Sequence, residues 1–338
     1  YLREGARAGL YCVFLCVSGV WNEILLDDYF PVYPESGKFI FCRPTAKGKC
    51  WPLFIEKAWA RVMGGYCNTV AGTCMEALHT VTNSPTRNYK LSINKQAECL
   101  GAILNAEGRR YPITCSSGDI ADEQKVGILH AHAYTVVGAS FLEVVEGGFK
   151  PLKNRPNPID LNKYICIVKL RNPWADRDNW AGHWSLSDPC VLRDPALMSF
   201  LGYNERTKKG YLCMDLFKFL EHFIELDVVE YEDGYKFSSI NVLSTAHPSI
   251  YKFEVTSTGK YTVSFSQINP RILSAELQPT YVLSRICMTV FRKKSNGDAE
   301  YVCGQASNRL TTLTSFVVDE GSKWRPGEYF LVLVTNWK

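Results

Sequence analysis

Two short motifs restrict what this chain can fold into more than any other feature of its sequence. Residues 130–138 read His-Ala-His-Ala-Tyr-Thr-Val-Val-Gly, and residues 170–174 read Leu-Arg-Asn-Pro-Trp. The β-branched and aromatic residues of the first motif predict a β-strand that carries His132, and a proline ends a second strand directly after Asn172. The chain is therefore expected to present an imidazole and a carboxamide on successive strands of a mainly antiparallel sheet.

An imidazole and a carboxamide offered in this way are two members of a Cys-His-Asn triad. In such a triad the His takes the thiol proton and later protonates the leaving amine, while the Asn oxygen holds the ring in one tautomer. Taken alone, a His on an apolar strand is more often a core residue, and an Asn before a proline is more often a turn residue. The pairing favours catalytic positions for His132 and Asn172, whereas His130 is expected in the core or simply exposed.

The two motifs together resemble the calpains, a papain-like family of intracellular cysteine endopeptidases. A Trp-rich tail continues the likeness, with Trp180, Gly182, Trp184 and Ser185. The resemblance implies that His132 is the general base, that Asn172 orients its ring, and that Trp174 keeps water off their hydrogen bond. It also implies polypeptide substrates and a cytoplasmic location, with association to a membrane surface or the cytoskeleton left open.

The composition is that of an ordinary globular protein. The chain has 338 residues, 46% of them hydrophobic and 21% charged, which is enough for two or three domains with their own cores. A formal net charge of +4 is too small to indicate nucleic-acid binding, and no RNA- or DNA-reading motif is present. The 13 cysteines form no Cys-x-x-Cys pair, which favours a reducing cytosol over a disulfide framework or a zinc site.

The pattern of apolar residues predicts an α+β fold. Helical spacing of apolar residues predicts an amphipathic helix from Trp51 to Met63, with Trp51 among the core-facing residues. From Tyr235 onwards, short strands and the Asn296-Gly297 turn predict a β-sandwich. The resemblance then divides the chain into a remnant of a papain-like first lobe (1–75), a mainly antiparallel β second catalytic lobe with the His and the Asn (76–230), and a calpain-type β-sandwich (231–338).

The nucleophile is the third member of the triad, and Cys50 is its nearest candidate. Cys50 is followed by Trp51 at the start of a helix, as papain-like nucleophiles are, but it precedes His132 by far fewer than the roughly 130 to 150 residues typical of that family. We therefore predict that this chain contains no nucleophile. In the resemblance, residue 1 lies beyond the nucleophile helix, so the missing part of the first lobe is an expected partner.

Calpains use calcium to bring their catalytic lobes together, and the resemblance places second-lobe ligands at positions that here read Asn179, Leu186, Lys209 and Tyr211. Calcium takes six to eight oxygen ligands, several of them carboxylates, and a lysine brings the wrong charge. Nearby acidic residues are either replacement ligands or a solvated loop: Asp176, Asp178 and Asp188. No metal ion or other cofactor is assigned, although the family implies calcium.

Two charged runs allow two interpretations. One is acidic, with Glu225, Asp227, Glu230, Glu232 and Asp233, and the other is basic, with Arg292, Lys293 and Lys294. They indicate either electrostatic contact between domains or with a membrane surface, or two solvated faces, and the second interpretation is favoured.

Two functions follow from these observations. The first is a calpain-like cysteine endopeptidase whose Cys-bearing part is missing from this chain, which would be inactive alone; the retained His132, Asn172 and Trp174 favour it. The alternative is a catalytically inactive calpain-like scaffold or regulatory protein, similar to those of kinetoplastid protists. The altered calcium positions favour the alternative.

Overall fold

The computed structural model describes residues 8–45, 47–174, 180–204, 210–242 and 248–336. The chain divides into two compact units. The inserted unit is Thr86–Gly234, and the flanking unit combines Tyr1–Pro85 with Tyr235–Lys338. Both consist mainly of antiparallel sheets with a few helices, so the fold is α+β.

The flanking unit begins with a β-hairpin. Strands β1 (Tyr11–Val17) and β2 (Val20–Leu26) pair antiparallel around a turn in which Ser18 and Gly19 both have positive φ. Positive φ at both central residues defines the type I′ turn, whose twist matches that of the flanking strands. Helix α1 (Trp51–Val62) and helix α2 (Cys74–Thr82) follow, and both contact β1.

Helix α1 covers the hairpin with most of its predicted apolar face. Ala58 is buried together with Leu15 and Leu26 of the two strands. Trp51, in contrast, is 59% exposed, so the prediction of a core position for it was wrong. The physical reason is its place at the first residue of the helix, because the residues packed against the hairpin begin one turn later, at Phe54.

One antiparallel sheet forms the centre of the inserted unit. Its strands are β3 (Thr86–Lys90), β4 (Ile113–Ser117), β5 (Ala133–Val145), β6 (Gly148–Pro151), β7 (Tyr164–Arg171), β8 (Tyr211–Asp215) and β9 (Phe223–Val229). They lie in the order β3-β9-β4-β5-β7-β8, with β6 paired to β5. The helices are α3 (Gln96–Arg109), α4 (Glu123–Val126), α5 (Pro189–Arg193), α6 (Pro195–Leu201) and α7 (Leu216–His222).

Both faces of this sheet are covered. Val168 faces a large cluster that includes Ile103 of α3 and Phe219 of α7. Its neighbour Ile167 faces a second cluster that includes Leu197 of α6. Successive residues of a strand point to opposite faces, so a strand buried on both sides needs apolar residues at every position. This requirement explains the nearly continuous apolar run of β7, which positions Asn172 at its end.

Residues after Tyr235 form the predicted β-sandwich. Its strands are β10 (Ser249–Val255), β11 (Gly259–Ser266), β12 (Arg285–Lys293), β13 (Ala299–Ser307), β14 (Thr311–Val318) and β15 (Gly327–Asn336). One sheet has the order β10-β15-β12-β13, and the other pairs β11 with β14. Val290 and Tyr329 of the first sheet pack against Phe316 of the second, which places the core between the sheets.

The unit boundaries differ in part from the predicted domains. The inserted unit starts at Thr86 instead of residue 76, because α2 packs on β1 and belongs to the flanking unit. Apart from residues 231–234, the predicted first domain (1–75) and third domain (231–338) fall within one unit, and their separation stays a prediction. Among the described residues, no helix is both long and apolar enough to cross a membrane.

The charged runs find partners within their own units. In the inserted unit, Glu230 pairs with Arg87 at 2.7 Å and Glu232 with Arg109 at 3.2 Å. In the sandwich, Lys293 Nζ lies 2.8 Å from a Glu328 oxygen. These pairs form within each unit, and the choice between the two interpretations of the charged runs stays a prediction.

Candidate active site

His132 lies directly before β5 on a backbone that the neighbouring strand holds. Ser117 N donates to His132 O at 2.9 Å, and His132 N donates to Ser117 Oγ at 2.9 Å. The regular pairing of β4 with β5 ends at the pair Ser116 and Ala133, and these bonds extend it by one residue. The imidazole therefore projects from a fixed backbone at the sheet end.

Asn172 follows β7 and is fully buried. Its N–H donates to Gly210 O at 2.7 Å. Strands β5 and β7 are antiparallel neighbours, with Thr135 opposite Arg171, so the start of β5 and the end of β7 meet at one edge. As a result, His132 Nε2 and Asn172 Oδ1 are 2.9 Å apart. The structure thus brings together the two side chains that the motifs singled out, and their catalytic role stays a prediction.

A backbone hydrogen bond defines which way the Asn172 carboxamide points. Trp174 N donates to Asn172 Oδ1 at 2.9 Å, and a backbone N–H requires an acceptor, so the atom at this position is the oxygen. The same oxygen then needs a proton on His132 Nε2. In the neutral ring this assigns the proton to Nε2 and leaves Nδ1 as an acceptor, which is the tautomer a general base needs. The buried Asn172 Nδ2 has no hydrogen-bond partner within the described part of the chain.

Two aromatic rings limit the freedom of the imidazole. The Trp174 indole centroid is 4.4 Å from that of His132, with an interplanar angle of 50°. Tyr134 approaches edge-on, with a centroid distance of 5.2 Å. Trp174 is 52% exposed, so its indole lies between the His132 ring and water on one side. Shielding of the His132–Asn172 hydrogen bond by this ring stays a prediction.

Three nearby residues were given no role in the site by the sequence motifs. His130 is exposed, with Nδ1 3.2 Å from an Asp119 oxygen, and its hydrogen bonds in the described structure go to Ile120 and Glu123 instead of to the His132–Asn172 pair. Tyr134 was present in the motif, but its contact with His132 was not anticipated. Ser117 was missed, because nothing in its local sequence distinguishes it from Ser116; its partner residues become neighbours only through strand pairing.

The cysteines buried in the core of the inserted unit are protonated thiols at neutral pH. Burial raises the pKa of Cys99, Cys166 and Cys213, in each case to about 12. Cys115 is fully buried as well. A thiol is nucleophilic as the thiolate, so these residues are unsuited to catalysis at neutral pH. Cys50, in the flanking unit, is exposed at the start of α1, and its exclusion as nucleophile stays a prediction.

The described residues at the predicted calcium positions do not fit a calcium ion. Leu186 packs against the second cluster of the inserted unit, and Tyr211 donates its hydroxyl to Leu201 O at 3.0 Å. Asp188 does not belong to a solvated loop, because it is only 8% exposed. Its two oxygens accept from Trp184 N at 2.8 Å and Cys190 N at 2.9 Å. The other two implied positions, Asn179 and Lys209, and the nearby Asp176 and Asp178 lie outside the described residues.

The Trp-rich tail, residues 180–185, is tightly packed. The Trp180 indole donates through Nε1 to His183 O at 3.0 Å. Its ring lies so close to the Gly182 backbone that a Cβ there would be 2.2 Å from Trp180 Cζ2. Trp184 is buried, and its carbonyl accepts the Tyr203 hydroxyl at 2.8 Å. Glycine at 182 is thus a steric requirement of the neighbouring indole.

A histidine held by an asparagine beside a tryptophan is the arrangement of the base in thiol proteases with a Cys-His-Asn triad. Comparison of the sequence with protein families agrees with this class. The family described as calpain family cysteine proteases matches residues 2–230. The match spans more than half of the chain, so the chain belongs to the calpain family.

Individual relatives are also calpains. The chain is 25% identical to Calpain-B of Drosophila melanogaster over 65% of its own length and 23% of the relative. It is 28% identical to human Calpain-14 over 67% of its length and 30% of the relative. For the mouse Calpain-1 catalytic subunit the identity is 28%, over 54% and 23% of the two chains. The chain therefore spans less than a third of the length of these relatives.

Proposed function

We propose that this chain carries the general base and the orienting asparagine of a calpain-like cysteine endopeptidase that acts on polypeptides in the cytoplasm. The observation that supports this proposal best is the 2.9 Å contact between His132 Nε2 and Asn172 Oδ1, with the Trp174 N–H on the same oxygen. Membership of the calpain family supports the same reaction. Nucleic acid is not among the proposed partners.

In this reaction, His132 Nδ1 accepts the thiol proton while the sulfur attacks the peptide carbonyl carbon. Asn172 Oδ1 stabilises the imidazolium that forms and holds its plane. The ring then protonates the leaving amine, and a water activated by the same nitrogen hydrolyses the thioester. The Trp174 indole excludes water from one side of the pair, which strengthens the interaction of the imidazolium with the carboxamide dipole.

The proposed source of the thiolate is a segment outside these 338 residues. The core cysteines of the inserted unit have raised pKa values, and the spacing of Cys50 does not match a papain-like nucleophile. We expect the purified chain to be inert towards fluorogenic peptides, since loss of the nucleophile in a serine protease costs about 10⁶-fold in kcat. Turnover or epoxide-inhibitor labelling that disappears in Cys50→Ala would overturn this expectation.

A fusion experiment tests the proposal directly. A papain-like first lobe with its nucleophile is joined upstream of the chain, and peptide turnover is measured. Activity should appear and should fall by about 10² to 10⁴-fold in His132→Ala and in Asn172→Ala, the range of general acid-base contributions. A fusion whose nucleophile is replaced by Ala is the control for background cleavage. A folded fusion without turnover would favour a non-catalytic function.

The second candidate function is a catalytically inactive calpain-like scaffold or regulator. The observation that favours it is the use of Leu186 and Tyr211, at positions that the family implies for calcium, for packing and hydrogen bonding, while the nearby Asp188 accepts backbone hydrogen bonds. We expect no calcium binding of micromolar strength in residues 174–211, as measured by calorimetric titration. Binding that is abolished by Asp176→Ala or Asp188→Ala would instead mean that nearby carboxylates replace the lost ligands.

A further inference from the structure

Ser117 holds both backbone polar groups of the residue that carries the imidazole. Its N–H donates to His132 O at 2.9 Å, and its Oγ accepts the His132 N–H at 2.9 Å. The hydroxyl proton has two acceptors within reach, Leu129 O at 2.6 Å and His132 O at 3.2 Å. The shorter contact fixes the hydroxyl towards Leu129. One side chain, 1% exposed, therefore ties the two ends of the 129–132 turn together.

The turn needs this support, because its backbone is strained. Ala131 has a φ of 45°, in the left-handed region that residues with a Cβ rarely adopt. Its N–H donates to Gly118 O at 3.2 Å. On the other side, Leu129 N donates to the Tyr134 hydroxyl at 2.9 Å. A relaxed turn would redirect His132, and a displacement of a few tenths of an ångström would bring its 2.9 Å bond to Asn172 to the limit of hydrogen-bond geometry.

We propose that Ser117 is a positioning residue for the His132 imidazole, with Tyr134 supporting the same turn. The importance of this role for catalysis rests on the proposed function, whereas the control of the ring by Ser117 does not. A purely structural serine would affect the stability of the sheet without changing the hydrogen bond of the ring. A positioning serine must change the state of the ring nitrogens, and this difference can be measured.

The test uses the full chain labelled with ¹⁵N-histidine and NMR of the ring nitrogens. The chain has 6 histidines, and His132→Gln identifies the relevant signals. In the unmodified chain, we expect the Nε2–H tautomer of His132 with slowed exchange of that proton. In Ser117→Ala, exchange should be about five- to tenfold faster, the effect of losing a typical hydrogen bond, and the tautomers should become mixed. Thermal unfolding monitors the fold of each variant.

Ser116→Ala is the matched control, because Ser116 is the neighbouring serine of the same strand and its side chain has no hydrogen bond among the described residues. The proposal is overturned if folded Ser117→Ala keeps the exchange rate and tautomer of the unmodified chain, or if Ser116→Ala changes them equally. If Ser117→Ala does not fold, Tyr134→Phe is the second test of the proposal. It removes only the hydroxyl oxygen that accepts the Leu129 N–H in the turn. Faster ring exchange in that variant supports the proposal, and unchanged exchange overturns it.

Failure of this proposal and failure of the proposed function give different results. A fusion without peptidase activity in which Ser117→Ala still alters the His132 ring would remove the enzymatic function and leave the positioning role. If the fusion is active, and Ser117→Ala changes neither its activity nor the His132 ring, the positioning role would be removed and the enzymatic function would remain.

Discussion

At the scale of single residues, Asn172 connects the course of the backbone with the chemistry of the imidazole. Its Oδ1 is 2.9 Å from both Trp174 N and His132 Nε2. Proline at 173 has no N–H, so Trp174 provides the first backbone donor after the asparagine. The Asn-Pro-Trp order therefore determines the direction of the carboxamide, and through it the tautomer of a ring that lies far away in sequence.

Asn172→Ala is expected to lower the free energy of unfolding by about 1–3 kcal/mol, because two donors lose their acceptor next to the core. His132→Ala serves as the matched variant and should lower it less, since the ring is only partly buried. Urea unfolding of the two variants measures both values. Equal losses would argue against Asn172 as the anchor of the pair.

Asp188 gives a prediction about pH. Burial alone would raise the pKa of this carboxyl, but hydrogen bonds from Trp184 N and Cys190 N outweigh that effect and hold the pKa below its usual value. A carboxyl with a lowered folded-state pKa stabilises the fold above its unfolded pKa, and this contribution is lost as the pH falls through the folded pKa. Its stabilisation is therefore complete at neutral pH.

Asp188→Ala should lower the free energy of unfolding by about 0.5–2 kcal/mol at pH 7, the range for losing a helix cap. The difference from the unmodified chain should shrink below about pH 4, where the carboxyl of the unfolded chain is protonated. Thermal unfolding between pH 7 and pH 3 measures this, with the exposed Asp28→Ala as control. A difference that is independent of pH would contradict the role of the charge.

At the scale of elements, local patterns were sufficient for helices and hairpins. The apolar spacing of α1 and the β-branched residues of β5 predicted both elements, although Trp51 is exposed at the helix start. The Asn296-Gly297 turn was predicted from turn chemistry, and Gly297 has the required positive φ of 91°. These features depend on residues within a few positions of one another, which a single sequence contains.

Features that depend on distant residues were not predictable in this way. The link of Ser117 to His132 exists only because β4 and β5 pair, and the membership of α2 in the flanking unit follows from its packing on β1. The contact of His132 with Asn172 is also distant in sequence. It could be anticipated because the resemblance of both motifs to one family supplied the pairing that local patterns lack.

Gly182→Ala tests the packing of the Trp-rich tail. A Cβ at this position would lie 2.2 Å from Trp180 Cζ2, so the indole must move and would lose its bond to His183 O. We expect a loss of about 1–3 kcal/mol in the free energy of unfolding, typical of overpacking, and a red shift of tryptophan fluorescence. Gly148→Ala is the control, because nothing lies within 4 Å of its Cβ position. Similar losses in both would refute the steric explanation.

At the scale of the whole molecule, the inserted unit contains its own cores and the complete His132–Asn172 pair. Both large hydrophobic clusters of its sheet consist of residues between positions 86 and 234. We therefore expect a fragment of residues 86–234 to fold alone, with cooperative unfolding and the His132 Nε2–H tautomer retained. Circular dichroism and NMR of the fragment test this. A fragment that binds hydrophobic dye and melts without a cooperative transition would contradict it.

The first and last strands of the inserted unit are paired, with Thr86 opposite Val229. Neighbouring strands are about 4.8 Å apart, so the chain leaves the unit next to the point where it enters. For the backbone on either side, the whole insert is therefore equivalent to one short loop. Recombination can exchange or delete such a segment as a cassette while the distance to be bridged hardly changes. In descendants of this gene, the hairpin and the sandwich could persist after the histidine and the asparagine have been lost with the segment that carries them.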